Sequence, residues 1–195
     1  MLSKKEKRKL EISIQAYEML LDTGVDNFSV NNLLENITMS KGNFYHYFKN
    51  KDELFCEALK VAYGNISNKI KVVKEIETFE DKLLEIFAIY LSTHKDTLAY
   101  LSLVNQMYYM FSNKKNIYLY TYMQETYHYM FSSLEYIMKE EIANNKLNPD
   151  VLHMVKPLVA TADGMLTHHF MLEDYNFHDE LKNYLSFISK QYSLN

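Results

Sequence analysis

The sequence predicts an all-α protein in two parts, an N-terminal three-helix helix-turn-helix domain and a larger C-terminal helical domain. Three observations predict the helices. Apolar residues make up 48% of the 195 residues, and they recur every three or four positions, the spacing of one helix face. Only 4 Gly and 2 Pro interrupt the chain, between stretches rich in helix-forming Leu, Lys, Glu, Met and Ala. No train of short alternating segments divided by turn residues is present, as a sheet would need.

The first helix opens on Ser3, with Glu6 at the spacing of a capping box. Leu10, Ile14, Tyr17 and Leu21 form its apolar face, and Thr23-Gly24 ends it because glycine turns left-handed freely. Ser29 caps the second helix, flanked by Phe28 and Leu33 in the positions of a hydrophobic staple. After a turn at Ile37-Thr38-Met39, Ser40 caps a third helix reaching Phe48, and Asn50 with Glu53 opens a fourth that weakens at Gly64-Asn65. The second and third helices with their tight turn make a helix-turn-helix.

A connector is expected from about Ser67 to Glu77, then helices over 78–93 and 97–111, a polar loop over 112–116, and a long helix from Ile117 to Ala143. On that helix Thr121, Gln124, Glu125, His128, Ser132, Glu135 and Lys139 form one polar stripe, as on a helix mostly buried in a bundle. Asn148-Pro149 starts the next helix, in which Pro157 predicts a kink, and the last runs from Asp179 to Tyr192. The expected domains are therefore residues 1–65 and 66–195.

The lone Cys56 excludes an internal disulfide and fits a reducing compartment. The basic N-terminus is followed by Leu10-Glu11-Ile12-Ser13-Ile14-Gln15, which is no signal-peptide core, and no run approaches the roughly 18 apolar residues of a membrane span. The expectation is a soluble, cytoplasmic protein that does not engage a membrane. Net charge is −4, yet Lys4, Lys5, Lys7, Arg8 and Lys9 crowd around a single Glu6. A polyanion would be met by this short arm and a few placed lysines rather than by a basic coat.

The stretch Phe44-Tyr45-His46-Tyr47-Phe48 carries four aromatics in five residues. On a helix Phe44 and Phe48 share one face and suit a core, while Gly42, Asn43 and His46 fall opposite, with Tyr45 and Tyr47 on the flanks. That outer set of donors and flat rings suits the major groove of DNA. Lys51 in the first turn of the next helix opposes the helix dipole unless an anion such as a phosphate accompanies it, and Lys4 and Lys5 raise the same question.

Residues 3–60 resemble the N-terminal domain of the TetR family of bacterial transcriptional repressors. The resemblance lies in the order of elements and in Ser40-Lys41-Gly42-x-Phe44-Tyr45-x-Tyr47-Phe48-x-Asn50-Lys51-Asp52-Glu53-Leu54-Phe55. It implies phosphate contacts from Ser29, Tyr47 and Lys51, and groove-facing roles for Asn31, Lys41, Gly42, Asn43, Tyr45 and His46. Where the family usually has alanine-glycine in the turn, this chain has Ile37-Thr38. The resemblance further implies a repressor binding a palindromic operator in double-stranded DNA as a homodimer, under a small-molecule effector.

The stretch Val159 to Leu166 is similar to that family's penultimate helix, which with the last helix builds the dimer. Ala162, Met165, Leu181, Leu185 and Ile188 are the expected interface. With 17 Tyr and 11 Met in the chain, Tyr100, Met107, Phe111, Tyr122, Glu125 and Tyr129 are the expected lining of a cavity for a lipophilic or aromatic effector.

No enzyme motif stands out, and neither cofactor nor metal is expected. Two alternatives stay open. His168, His169 and His178, with Glu173, Asp174 and Asp179 nearby, carry metal-ligand chemistry and would suit a metal-dependent helical enzyme, although surface or interface histidines are the favoured account of them. A helical adaptor presenting the 40–48 helix to a protein is the other.

Overall fold

A computed structural model of the chain describes residues 2–67 and 78–194. Residues 68–77, most of the expected connector, lie outside the described residues. Ten α-helices run α1 Lys4–Asn27, α2 Val30–Asn36, α3 Lys41–Phe44, α4 Lys51–Ser67, α5 Phe79–Ile86, α6 Lys95–Gln106, α7 Tyr108–Ser112, α8 Ile117–Ala143, α9 Val155–Met171 and α10 Phe177–Tyr192, with a 3-10 turn over Pro149–Met154. Among the described residues no strand forms, only one isolated antiparallel bridge between Leu147 and Ser193.

Two compact units result. One comprises Met1–Lys69 with Lys95–Gln124, the other Ile70–His94 with Glu125–Asn195, so the boundary falls inside α8.

In the first unit α1 packs on α4 and α6, and α4 on α6. The capping box of α1 is complete, Ser3 N–H donating to Glu6 Oε2 at 2.7 Å and Glu6 N–H to Ser3 Oγ at 3.2 Å. The Ser3 amide, with its hydroxyl, holds the Glu6 carboxyl below the ordinary glutamate range. Gly24 turns left-handed (φ 73°), but the chain then resumes helix to Asn27, so α1 is broken there and not ended. The break frees the Val25 N–H from the helix ladder, and the side-chain carbonyl of Gln106 on α6 receives it at 3.3 Å. Any other residue at position 24 would be strained by that φ and would set its Cβ 3.4 Å from the same oxygen.

In the second unit α10 packs on α5 and α9 around Phe87, Phe177, Leu181 and Leu185. Glu141, 2% exposed, is paired with Lys82 at 2.7 Å and Lys146 at 3.6 Å, the pairing a buried carboxylate needs. Asp163 accepts from the Tyr90 hydroxyl at 2.6 Å and the Tyr127 hydroxyl at 2.7 Å, which joins α5's trailing turn, α8 and α9. The chain end is strapped down by Asn148 N–H to Tyr192 O and Leu194 N–H to Lys146 O, both 2.8 Å.

Several expectations change in detail. The expected 97–111 helix divides at Met107 into α6 and α7, and the expected 78–93 helix gives way to turns after Ile86. Pro157 makes no mid-helix kink, because it falls in the first turn of α9, where its missing N–H has no partner to lose. The seven-residue polar stripe of α8 is exposed throughout.

Candidate nucleic-acid interface

Helices α2 and α3 are short and held by caps. Ser29 Oγ accepts from Asn32 N–H at 3.4 Å to start α2, and Ser40 Oγ accepts from Asn43 N–H at 3.2 Å to start α3. The turn between them is closed by Thr38 N–H to Glu35 O at 3.2 Å and Met39 N–H to Leu34 O at 2.9 Å. This is the Schellman pattern, and its left-handed position, usually glycine, is Thr38 at φ 50°. The hydrogen bonds keep the tight turn although a β-branched residue is strained there.

The third helix is shorter than expected. It spans Lys41–Phe44 and continues through turns to Phe48, whose N–H still bonds Phe44 O at 3.1 Å. That bond preserves the predicted division of faces. Phe44 and Phe48 are each 1% exposed and stack at 5.3 Å, and Tyr45 is 54% exposed. Asn31, Lys41, Gly42, Asn43 and His46 are exposed, while Ser29, Tyr47 and Lys51 are half-buried. A Cβ on Gly42 would meet nothing within 4 Å, so this chain does not itself require glycine there.

Two lysines near these helices, Lys9 and Lys51, turn inward. Lys9 Nζ pairs with Glu53 at 2.9 Å, lies 3.8 Å from Glu57 and sits 5.3 Å from the Phe48 ring centroid. Burial alone would raise the Glu53 carboxyl, but the Lys49 amide (2.7 Å) and the Lys9 ammonium outweigh it and hold the group below the ordinary glutamate range. Lys51 Nζ donates to Phe28 O at 3.1 Å. The sequence reading missed both inward turns. The Asn50–Glu53 cap was legible, with Glu53 N–H to Asn50 Oδ1 at 2.8 Å, but not the lysine that reaches Glu53 from 44 residues away. Lys4, Lys5 and Lys7 stay exposed.

Of the residues expected to line an effector cavity, Tyr100, Met107, Phe111 and Tyr122 are buried in the first unit. The Tyr100 and Tyr122 hydroxyls are 2.9 Å apart. Burial drives the Tyr100 phenol well above its ordinary pKa and the Tyr122 phenol up to about 12. Glu125 and Tyr129 are exposed on the polar side of α8, beside His128 and Ser132, so neither side chain points into a core.

The expected dimer residues need a similar correction. Ala162, Leu181, Leu185 and Ile188 are buried within the chain's own second unit and Met165 is half-buried, because the apolar stripe that periodicity detects here faces α5 and the α9–α10 seam. The same two helices leave Ala160, Gly164, His168 and Phe187 exposed.

The histidines are engaged with backbone. His169 Nδ1 lies 3.2 Å from Tyr175 O and His178 Nε2 lies 3.1 Å from Ser92 O. A ring nitrogen facing a carbonyl oxygen must carry the proton, so these two are donors and not metal-ligating lone pairs. Among the described residues no group of three or more His, Cys, Asp or Glu is placed to hold a metal ion, and no helix is long and apolar enough to cross a membrane.

Comparison with known proteins agrees with this geometry. Residues 15–58 match the family described as bacterial regulatory proteins, tetR family. Over 94 residues, 48% of the chain, the sequence is 27% identical to the HTH-type transcriptional regulator PksA of Bacillus subtilis, and the match spans 46% of that protein, about half its length. A TetR-family regulator from Cytophaga hutchinsonii superposes with a TM-score of 0.74 at 18% identity, covering 100% of this chain and 99% of that one. Salmonella enterica GusR gives 0.67 at 17% identity, covering 97% and 98%. These structural likenesses establish the all-α fold with its N-terminal helix-turn-helix. The motif at 40–55 and the matched residues 15–58 make the N-terminal part of this chain similar to the tetR family of bacterial regulatory proteins, and the whole chain shares the fold of solved members of that family.

Proposed function

We propose that this protein is a sequence-specific DNA-binding transcriptional regulator, a cytoplasmic homodimeric repressor whose hold on a palindromic operator changes when a small effector binds. In this reading residues 1–65 read DNA, and residues 66–195 receive the effector and dimerise. The observation that carries it is the division of the 40–48 segment. Two phenylalanines anchor the helix in the core, and between them Tyr45 and His46 are left to solvent while Tyr47 is half-buried.

Asn31, Lys41, Asn43, Tyr45 and His46 form the base-reading set, with Gly42 allowing close approach. Ser29, Tyr47 and the lysines of the N-terminal arm meet phosphates. The dimer is formed by α9 and α10 through their exposed residues, which sets two reading helices about 34 Å apart, one turn of DNA. The effector is lipophilic or aromatic and enters near Tyr100, Met107, Phe111 and Tyr122. It acts by favouring a geometry that no longer spans both half-sites.

The test is fluorescence anisotropy of the purified protein with duplexes from upstream of its own gene, at several salt concentrations. Tight, salt-steep binding to one duplex and weak binding to a scrambled one is expected. No binding to any duplex at low salt would overturn the reading.

A further inference from the structure

We propose that the effector is a neutral, flat aromatic molecule bearing a carbonyl oxygen, and that this oxygen accepts from the paired hydroxyls of Tyr100 and Tyr122 inside the first unit. The inference deepens the effector part of the function proposed above and rests on it.

Four helices bring phenols to one place. Tyr17 comes from α1, Tyr63 from α4, Tyr100 from α6 and Tyr122 from α8. The Tyr100 and Tyr122 hydroxyls are 2.9 Å apart, and the Tyr63 and Tyr100 ring centroids lie 6.3 Å apart. Tyr100 and Tyr122 are buried, whereas Tyr17 and Tyr63 are half-buried and reach the surface. Burial first, and then the phenols of Tyr122, Tyr63 and Tyr17, holds the Tyr100 phenol well above its ordinary pKa. Around Tyr122 burial outweighs the bond to Tyr100, and the Cys56 thiol and Tyr63 phenol add to the rise. Both hydroxyls therefore keep their protons at neutral pH and act as donors.

This interior is polar without being charged. Its other buried polar side chains are Ser13, Thr97 and Asn116, and among the described residues no charged side chain is buried in this unit. Asp96, whose charge adds to the burial that raises Tyr17, stays exposed at the start of α6. A charged ligand would shed its hydration here with no buried opposite charge to meet it. A pure hydrocarbon would part the hydroxyl pair and offer no acceptor in exchange. Within the pair one hydroxyl donates and the other accepts, but a ligand carbonyl has two lone pairs and can receive both. The surrounding rings favour a flat aromatic body on which to carry that oxygen.

The experiment is equilibrium dialysis of the purified full chain with three probes of similar size. These are flavone, a neutral planar ketone, 2-phenylnaphthalene, which lacks oxygen, and the N-methylacridinium cation. Wild type should bind flavone about tenfold more tightly than either other probe, the scale of a buried hydrogen bond. Tyr100→Phe and Tyr122→Phe keep both rings, and each should weaken flavone about tenfold while leaving 2-phenylnaphthalene within about twofold. The comparison of probes uses wild type alone, so it stands even where a variant does not fold. Flavone bound no more tightly than the hydrocarbon or the cation, or not bound at all, overturns the proposal, as does unchanged flavone affinity in both folded variants. Saturating flavone should also change the Kd for the specific duplex by about tenfold, and an unchanged Kd overturns its role as effector. Dialysis contains no DNA, so the two failures are separable. Protein that binds flavone but no duplex overturns the regulatory reading and leaves the ligand site standing.

Discussion

Two stretches of this chain are rich in aromatic residues and use them in opposite ways. Over 44–48 the phenylalanines go inside and the tyrosines stay at or near the surface. In α6 and α8 it is tyrosines, Tyr100 and Tyr122, that are buried, with their hydroxyls against each other. A buried phenyl ring asks only for neighbours of the right shape, whereas a buried phenol also asks for a polar partner. The reading segment avoids that demand by burying only Phe44 and Phe48. The interior of the first unit meets it by pairing two phenols.

The comparison can be broken at several points. The largest effect is expected from Phe44→Ala, at about 3–5 kcal/mol of lost stability in a urea titration, against about 0.5 kcal/mol or less for Tyr45→Ala. Equal losses would remove the distinction between the two faces. Next comes alkaline pH. Tyr100, Tyr122 and Tyr17 hold their protons more tightly when folded, chiefly through burial, and Tyr17 and Tyr122 are each pushed up to about 12. A raised folded pKa contributes stability that is complete below the unfolded value near 10 and is lost as pH rises toward the folded one. For Tyr122 alone that is roughly 3 kcal/mol. Circular dichroism and phenolate absorbance should therefore show unfolding and ionisation together between about pH 10 and 12.

Smaller effects sharpen the same contrast. Tyr100→Phe should cost about 1 kcal/mol, and the double change with Tyr122→Phe less than the sum of the two single ones, as a double-mutant cycle would show. Thr38→Gly should raise stability by about 1 kcal/mol in the same titration, by relieving the left-handed threonine. The slightest is Gly42→Ala, expected to raise stability by less than about 1 kcal/mol through helix propensity, yet to weaken binding of the specific duplex.

Local chemistry was legible in the sequence, and contact across the chain was not. The caps at Ser3, Ser29, Ser40 and Asn148 depend on residues within three positions of one another, and all four form. The exposed stripe of α8 follows from helical spacing alone. Periodicity also found the apolar stripe of α10, but it cannot distinguish a face packed inside the chain from one awaiting a second copy, which is how Leu181 and Leu185 were misplaced. The lysines were read as free charges because Glu53 and the Phe28 carbonyl approach Lys9 and Lys51 only after folding. Of the residues expected to face DNA, Gly42 and His46 lie opposite Phe44 by helical spacing, and both emerge exposed.

The break at Gly24 carries a mechanical corollary. By stepping out of the helix at Gly24, the chain turns the part-buried amide of Val25 to the tip of one glutamine on α6. Such a bond weakens steeply once its geometry drifts, and losing it at a buried amide costs about 1–3 kcal/mol. A small slide of α6 must therefore either carry Val25 along, five residues before α2 begins at Val30, or release it. Gln106 and Val25 couple the two helices as a clutch does, engaged or disengaged, with little range between.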